Sequence, residues 1–282
     1  MSAQSARAGA SSPTGTPDGR TSTGTDTPAA TIDPAILDRW DAQQAAYIAG
    51  REARFDALLD VLGLTVGEEP LVVDLACGPG SLSARMLDRF PGARVIGVDL
   101  DPLLLHVAHG VLGDAGGRLT LVDVDLAVPG WSARLADALN GARPHAVVSS
   151  TALHWLRADE LLRVYREAHD LLADGGVLLN ADHFRFDDRH PELRRIAEAH
   201  DEATQRAAFA AGAPTWDAWW DEVRVLPGVD ALAQERERRF ADRPPNPPTA
   251  VDLHLAALAQ AGFTTVGSVW QLLDDHVVLG RR

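Results

Sequence analysis

The chain contains no lysine: all 26 basic residues are arginine, set against 40 acidic residues, for a net charge of −14. Proteins that grip a phosphate backbone carry a basic face, because affinity comes from neutralising phosphates, so nucleic acid is not an expected partner. Cysteine occurs once, as Cys77. A single thiol excludes an internal disulfide and suits a reducing cytoplasm. No apolar run approaches the roughly 20 residues of a membrane-spanning helix, and the N-terminus lacks the apolar core of a signal peptide. The composition therefore reads as a cytoplasmic protein with no membrane partner, either monomer or homodimer.

What the chain does have is organised around residues 71–83, LVVDLACGPGSLS. Four apolar residues and an acid form a short buried strand, the glycines and proline force a tight turn, and Leu82, Ala84, Met86 and Leu87 open a helix. Gly78 and Gly80 leave bare backbone for a ligand, and the first N–H groups of the helix supply donors and a positive dipole end. A dinucleotide fingerprint wants a third glycine where this chain has Ser83, which weakens an NAD reading. Asp74, inside the strand, can accept from an ammonium group. Asp99 ends the next apolar run, nineteen residues past Gly80, at the offset of a ribose acceptor. A ligand with both a ribose and an amino-acid amine fits better than NAD.

The 282 residues suffice for one large α/β domain with an elaboration. Residues 1–31 are mostly Ser, Thr, Ala, Gly and Pro, too polar to offset their ordering entropy, and are expected to be a disordered tail. The domain then covers 32–282. Leu37, Trp40, Ile48, Phe55, Leu59 and Leu62 predict one helix that stops at Gly63, ahead of the first strand. Strands follow at 95–98, 119–124, 145–150 and 177–180, alternating with helices that begin at Pro102 and span 131–139 and 161–172. Residues 184–248 exceed the minimal fold and predict a helical lid. There Trp216, Trp219, Trp220 and Val223 fall on one helix face, as core between lid helices more readily than as a substrate box. Val251, Leu255 and Leu258 mark a further helix, and 263–272 with 276–281 read as a closing antiparallel hairpin.

The run Asp74, Leu75, Ala76, Cys77, Gly78, Pro79, Gly80, together with Asp99 in GVDLDP, resembles the class I S-adenosylmethionine-dependent methyltransferases, in particular the small-molecule branch that includes trans-aconitate-type enzymes. The resemblance runs from about Trp40 to the C-terminus. It departs from the family's pattern at Ala76, which replaces a glycine with the smallest possible addition. It implies a Rossmann-like α/β fold with a seven-stranded sheet ordered 3-2-1-4-5-7-6, the last strand antiparallel, helices on both faces and S-adenosyl-L-methionine as cofactor. It also implies a cofactor site of Asp74, Ala76, Cys77, Gly78 and Gly80 in the loop, Asp99 and Leu100 at the ribose, Asp125 and Leu126 at the adenine, and Ser150 at the fourth strand's end. Asp123 competes with Asp125, one pleat earlier. Tyr47 and Arg51 lie on the helix that closes over the cofactor in this family. Cys77 reads as packing rather than as a nucleophile.

Ligands of an open α/β sheet bind beyond the carboxyl ends of its strands, which places Thr151, His154 and Trp155 near the transferred methyl. The activity implied is transfer to a small-molecule acceptor on O, N or carboxyl, by in-line displacement that needs alignment and dryness but no metal. For a hydroxyl or amine acceptor a base is required, and His154 and His183 are the candidates; the alternative is that they only line the pocket. Asp182, His183, Asp187, Asp188 and His190 match no established metal-ligand spacing, so no metal site is assigned. Arg185, Arg189, Arg194 and Arg195 suit an acidic acceptor and a solvated helix face equally. Two other classes remain: a non-catalytic cofactor-binding assembly or regulatory protein, and, more distantly, an NAD-dependent oxidoreductase, for which the S-x-x-x-Y-x-x-x-K constellation cannot exist without lysine.

Overall fold

Every residue of strand β1 (Leu71–Leu75) is buried, which places it in the middle of a sheet with both faces covered. The computed structural model describes residues 32–243 and 249–282; the tail expected over 1–31 and the end of the proline-rich breaker lie outside the described residues. The chain reaches β1 through α1 (Ala35–Tyr47) and α2 (Arg51–Val66). This corrects the single expected helix. The apolar spacing continues across Ile48, but Gly50 adopts φ 69 and caps α2, and a Cβ there would come within 3.1 Å of Leu272. Gly63 does not stop α2, which runs on until Gly67 at φ 81.

After β1 come α3 (Ser81–Arg89), β2 (Arg94–Asp99), α4 (Pro102–Leu112), β3 (Leu119–Asp123), a short 3-10 turn at Trp131–Leu135 leading into α5 (Ala136–Leu139), β4 (Ala146–Ser150), α6 (Ala158–Leu171) and β5 (Val177–His183). The segment expected as a lid follows as α7 (Pro191–Ala210), α8 (Trp216–Arg224) and α9 (Asp230–Phe240), and the chain closes with α10 (Val251–Ala261), β6 (Thr265–Leu272) and β7 (Asp275–Arg281). The sheet order is β3-β2-β1-β4-β5-β7-β6. The first five strands pair in parallel, and β7 runs antiparallel to both β5 and β6. This is the order implied by the resemblance.

Strand parity sorts the side chains into two cores. Val73, Val147 and Leu178 face α6 and α10, while Val72, Val148 and Leu179 face α2 and α3. A third cluster docks the lid: Trp219, Trp220 and Val223 are buried against Ile36, Leu37 and Trp40 of α1 and Leu103 and Val107 of α4. Trp219, Trp220 and Val223 of the stripe are thus core, packed on the body of the domain and also against Val229, Leu232 and Ala233 around the start of α9, whereas Trp216 is 43% exposed. Trp219 also donates its indole N–H to the Ile36 carbonyl at 3.0 Å. Truncating such a buried tryptophan costs about 3–5 kcal/mol, so α8 is a fixed wall rather than a loose flap.

Candidate active site

The turn after β1 is tied down by its own backbone. Cys77 N–H donates to the Val98 carbonyl at 2.9 Å and Gly80 N–H to that of Cys77 at 3.0 Å. Gly78 takes φ 57 and Gly80 φ 96. A Cβ on Gly80 would lie 2.6 Å from Leu112, whereas one on Gly78 would meet nothing closer than 4.0 Å. Gly80 is therefore needed for packing on α4, and Gly78 leaves the backbone open on the ligand side. Ala76 sits at φ 53, a left-handed conformation that costs an L-residue about 1–2 kcal/mol. Cys77 is buried, and burial pushes its thiol well above the ordinary range, which leaves it inert as a nucleophile.

Two buried carboxylates flank this turn. By parity Asp74 shares the α3 face with Val72, and Ser83 of α3 donates its hydroxyl to Asp74 Oδ2 at 2.7 Å. Burial, resisted by that hydrogen bond, raises the Asp74 carboxyl to about 7. Asp99 accepts the Gly78 N–H on Oδ2 and the Asp101 N–H on Oδ1, each at 2.7 Å; burial still raises it to about 6. Neither acid has an ion-pair partner among the described residues. Two desolvated acids without a cation, beside a turn with bare backbone, fit a ligand that carries positive charge and hydroxyl donors, as S-adenosylmethionine does. Ser83 stands where a dinucleotide site has its third glycine, and its role as the partner of Asp74 was not read from the sequence.

Beyond β2 and β3 a cavity of about 630 Å³ is bounded by Leu100, Val124, Asp125, Trp131, Arg239 and Arg243. Leu126 packs into the core beneath it. The arginines come from the lid. Arg236 donates to Asp101 Oδ2 at 2.6 Å and stacks 4.0 Å over Trp220, and Arg239 donates to both oxygens of Asp123. Arg243 holds Asp125 Oδ2, whose other oxygen accepts the Ala127 N–H at 2.9 Å. Both candidate adenine acceptors, Asp123 and Asp125, are thus engaged by arginines of this segment. Arg236 and Arg239 sit i, i+3 on α9, and Arg243 follows just past its end.

The second cavity, about 250 Å³, lies at the carboxyl end of β4, the strand next to β1, and is lined by Gln44, Tyr47, Ile48, Thr151, His154, His183 and Trp216. Tyr47 is held edge-on against Phe209 of α7. Arg51 is not in this lining. It is buried, 2.9 Å from Asp41 and over the Phe55 ring. Thr151 takes φ 57, rare for a β-branched residue, and its hydroxyl, with Ser150 Oγ at 3.4 Å, accepts from the fully buried Arg54. Arg54 in turn donates to Asp275 at 2.9 Å.

Asp182 and His183 were expected after the fifth strand; they lie within β5, paired with His276 and Asp275 of β7. Being consecutive in a strand, their side chains take opposite faces. Asp182 accepts from His154 at Nδ1 (2.7 Å) and at the backbone N–H (3.1 Å). Burial would raise Asp182 and lower His154, but each stabilises the other's charge: the carboxylate is held below its ordinary range and the imidazole above its own. His183 Nδ1 lies 2.8 Å from Asp275 Oδ1, yet without an aligned hydrogen bond, and Arg54 already uses that oxygen. The two imidazoles are 6.3 Å apart. Asp187 and Asp188 pair with Arg189 and Arg194 and do not join them. Arg54 and Asp275 come from opposite ends of the chain and left no local signal.

Residues 72–176 match the family described as methyltransferase domain. Over 221 residues the chain is 30% identical to trans-aconitate 2-methyltransferase of Streptomyces coelicolor, covering 71% of this chain and 69% of that one. Over 228 residues it is 30% identical to malonyl-[acyl-carrier protein] O-methyltransferase of Geobacter sulfurreducens, with 81% and 68% covered. Among solved structures, the fold is shared with the S-adenosylmethionine-dependent methyltransferase SibL in its apo form (TM-score 0.54, 17% identity, 90% of this chain and 71% of that one). It is also shared with magnesium protoporphyrin IX methyltransferase from Synechocystis PCC 6803 with bound SAH (TM-score 0.51, 16% identity, 87% and 93%). The chain belongs to the class I S-adenosylmethionine-dependent methyltransferases that act on small molecules, with S-adenosylmethionine as its cofactor.

Proposed function

We propose that this enzyme methylates its acceptor in the 250 Å³ cavity beside β4, with His154 as general base and Asp182 as the residue that orients it. One observation carries the reading: His154 Nδ1 is engaged by a buried carboxylate at 2.7 Å while the ring lines the cavity. That arrangement fixes the tautomer with Nε2 unprotonated, and the carboxylate stabilises the imidazolium once a proton arrives. When bound, the cofactor supplies an electrophilic methyl group on its sulfonium. Asp74 would take its ammonium, Asp99 its ribose hydroxyls, the Ala76–Gly80 turn its bare flank, and Leu100 with Asp125 or Asp123 its adenine. Trp216 and Tyr47 would keep water from the acceptor. Among the described residues no helix is long and apolar enough to cross a membrane. The lone, buried Cys77 supports the further reading of a cytoplasmic enzyme.

The test is transfer from labelled cofactor to a panel of small acceptors. His154→Gln should keep cofactor affinity and lose turnover by about 100-fold or more, the usual worth of a general base, and His183→Gln should lose less. Full turnover in His154→Gln would remove the base from the mechanism.

A further inference from the structure

The relatives named above include an enzyme for a polycarboxylate, but the acceptor cavity is not built for one. Among the described residues its lining holds no arginine. The arginines that opened the possibility of an acidic acceptor are consumed elsewhere. Arg185 donates to Asp201 at 2.8 Å and Asp274 at 3.0 Å, Arg189 pairs with Asp187 and Asp252, Arg194 with Asp188, and Arg195 with Glu192. Arg54, behind the cavity, is committed to Asp275 and Thr151. Directly behind the two imidazoles stand two buried carboxylates, Asp182 and Asp275. With neutral histidines, Arg54, Asp182 and Asp275 together carry one net negative charge. A carboxylate acceptor would enter against that field, and among the described lining its one charged donor would be His154 in the protonated form that cannot act as a base. It would also have no use for a base, because it is already ionised at neutral pH.

Resting on the methyltransfer reading above, we propose that the acceptor is a compact, single-ring hydroxyl compound, uncharged when it binds and methylated on oxygen, and not a carboxylate. Size and lining agree with this. A cavity of about 150 Å³ accommodates benzene, so 250 Å³ takes one ring with substituents, and Tyr47, Trp216 and His154 offer it aromatic surfaces. Trp155, outside this lining, is 70% exposed and stands 4.9 Å from the His154 ring. The step balances within the site. The acceptor oxygen uses a lone pair to bond the methyl carbon as the carbon–sulfur bond breaks, and that bond's electron pair stays on sulfur. The hydroxyl proton passes to His154 Nε2, and the imidazolium so formed is paired with Asp182.

The experiment offers the full chain labelled cofactor with a panel of single-ring phenols and benzylic alcohols, the ring carboxylates of matching size, and trans-aconitate. The hydroxyl compounds should be methylated with kcat/KM at least tenfold above any carboxylate. Their kcat/KM should rise with pH through a limb above the ordinary histidine value, and His154→Gln should lose that limb and about 100-fold in rate. The groups facing His154 are Asp182 and His183 of β5, Arg185 just past it, Arg54 of α2, His254 of α10 and Asp275 of β7. Burial holds His254 down at about 4, and His183→Gln should retain the limb. Preference for a carboxylate, or no methylation of any hydroxyl compound, overturns the proposal and leaves the methyltransfer reading intact. Failure of the same preparation to bind S-adenosylhomocysteine by calorimetry would instead strike the methyltransfer reading itself.

Discussion

Arg239 lays its guanidinium on both oxygens of Asp123, at 2.6 and 2.8 Å, and donates to the Leu100 carbonyl at 2.7 Å. One lid residue thereby fastens α9 to the ends of β2 and β3, where the cofactor's adenine and ribose are expected. Arg243 on Asp125 makes a second clasp. Partly exposed ion pairs contribute about 0.2–1 kcal/mol each and weaken with salt. The double variant Arg239→Ala, Arg243→Ala should therefore speed cofactor dissociation by about 5- to 10-fold in stopped-flow binding, and raising ionic strength should move the unmodified enzyme toward the same rate. Dissociation indifferent to both changes would mean that α9 does not cover the cofactor.

The buried acids make cofactor binding a proton-linked event. With Asp74 at about 7 and Asp99 at about 6 in the free protein, both are partly protonated near neutrality, and a cationic ligand beside them favours their ionised forms. Binding should release protons, roughly half of one from Asp74 alone near pH 7, and affinity should rise between pH 5.5 and 8. Calorimetry in buffers of different ionisation enthalpy reads the released protons directly. The linkage to stability has the opposite sign. These carboxyls are raised in the folded state, so the native protein holds more protons than the unfolded chain between the ordinary carboxylate range and about 7, and cofactor-free stability should fall as pH rises through that window. Proton uptake on binding would contradict the assignment of Asp74 to the ammonium.

How much was legible depended on how local each feature is in the chain. The strand, turn and helix around Asp74, Gly78 and Gly80 lie within a dozen residues, and the offset to Asp99 follows from one β-α-β unit, so this part of the fold could be read directly. The break between α1 and α2 was hidden because Ile48 continues the helical spacing, while the kink depends on how Gly50 fits against Leu272. The sheet order came with the family resemblance. The acceptor end was the least legible. Asp182 looked like one member of an acidic loop until strand pairing with β7 carried β5 through His183 and set the two side chains on opposite faces. Arg54 and Asp275, 221 residues apart, meet only because the last strand inserts beside β5. The arginines at the lid's start carried no information about the acceptor, since their partners are nearby acids.

If Asp182 acts only by orienting His154, then Asp182→Asn should spare cofactor affinity and lower kcat by about 100-fold, toward the loss expected of the base itself. Removing the carboxylate also removes what holds the imidazole above its ordinary range. The acid limb of the pH profile should therefore move to lower pH even as the plateau falls. A merely structural aspartate would lower the plateau and the melting temperature together without moving the limb. Asp182→Glu, which keeps the charge, should restore part of the rate.

Gly78 and Gly80 separate the demands of the ligand from those of packing. Both have positive φ, so alanine at either position costs about 1–2 kcal/mol of backbone strain, or roughly 2–4 °C in melting temperature per kcal/mol for a domain of this size. At Gly80 the added methyl also meets Leu112 at 2.6 Å and φ is 96. Leu112 must then move, and Gly80→Ala should melt lower than Gly78→Ala. At Gly78 the methyl would meet nothing among the described residues closer than Leu104 at 4.0 Å, which leaves a ligand lying against the turn as what it would strike. Gly78→Ala should accordingly lose little more stability than the strain itself, yet bind S-adenosylhomocysteine at least tenfold more weakly, a loss of about 1.4 kcal/mol. Ala76, already left-handed at φ 53, shows that this turn can hold a side chain at positive φ. Calorimetry and thermal melts on the two variants decide the matter: equal affinity in Gly78→Ala and unmodified protein would place the cofactor away from this backbone.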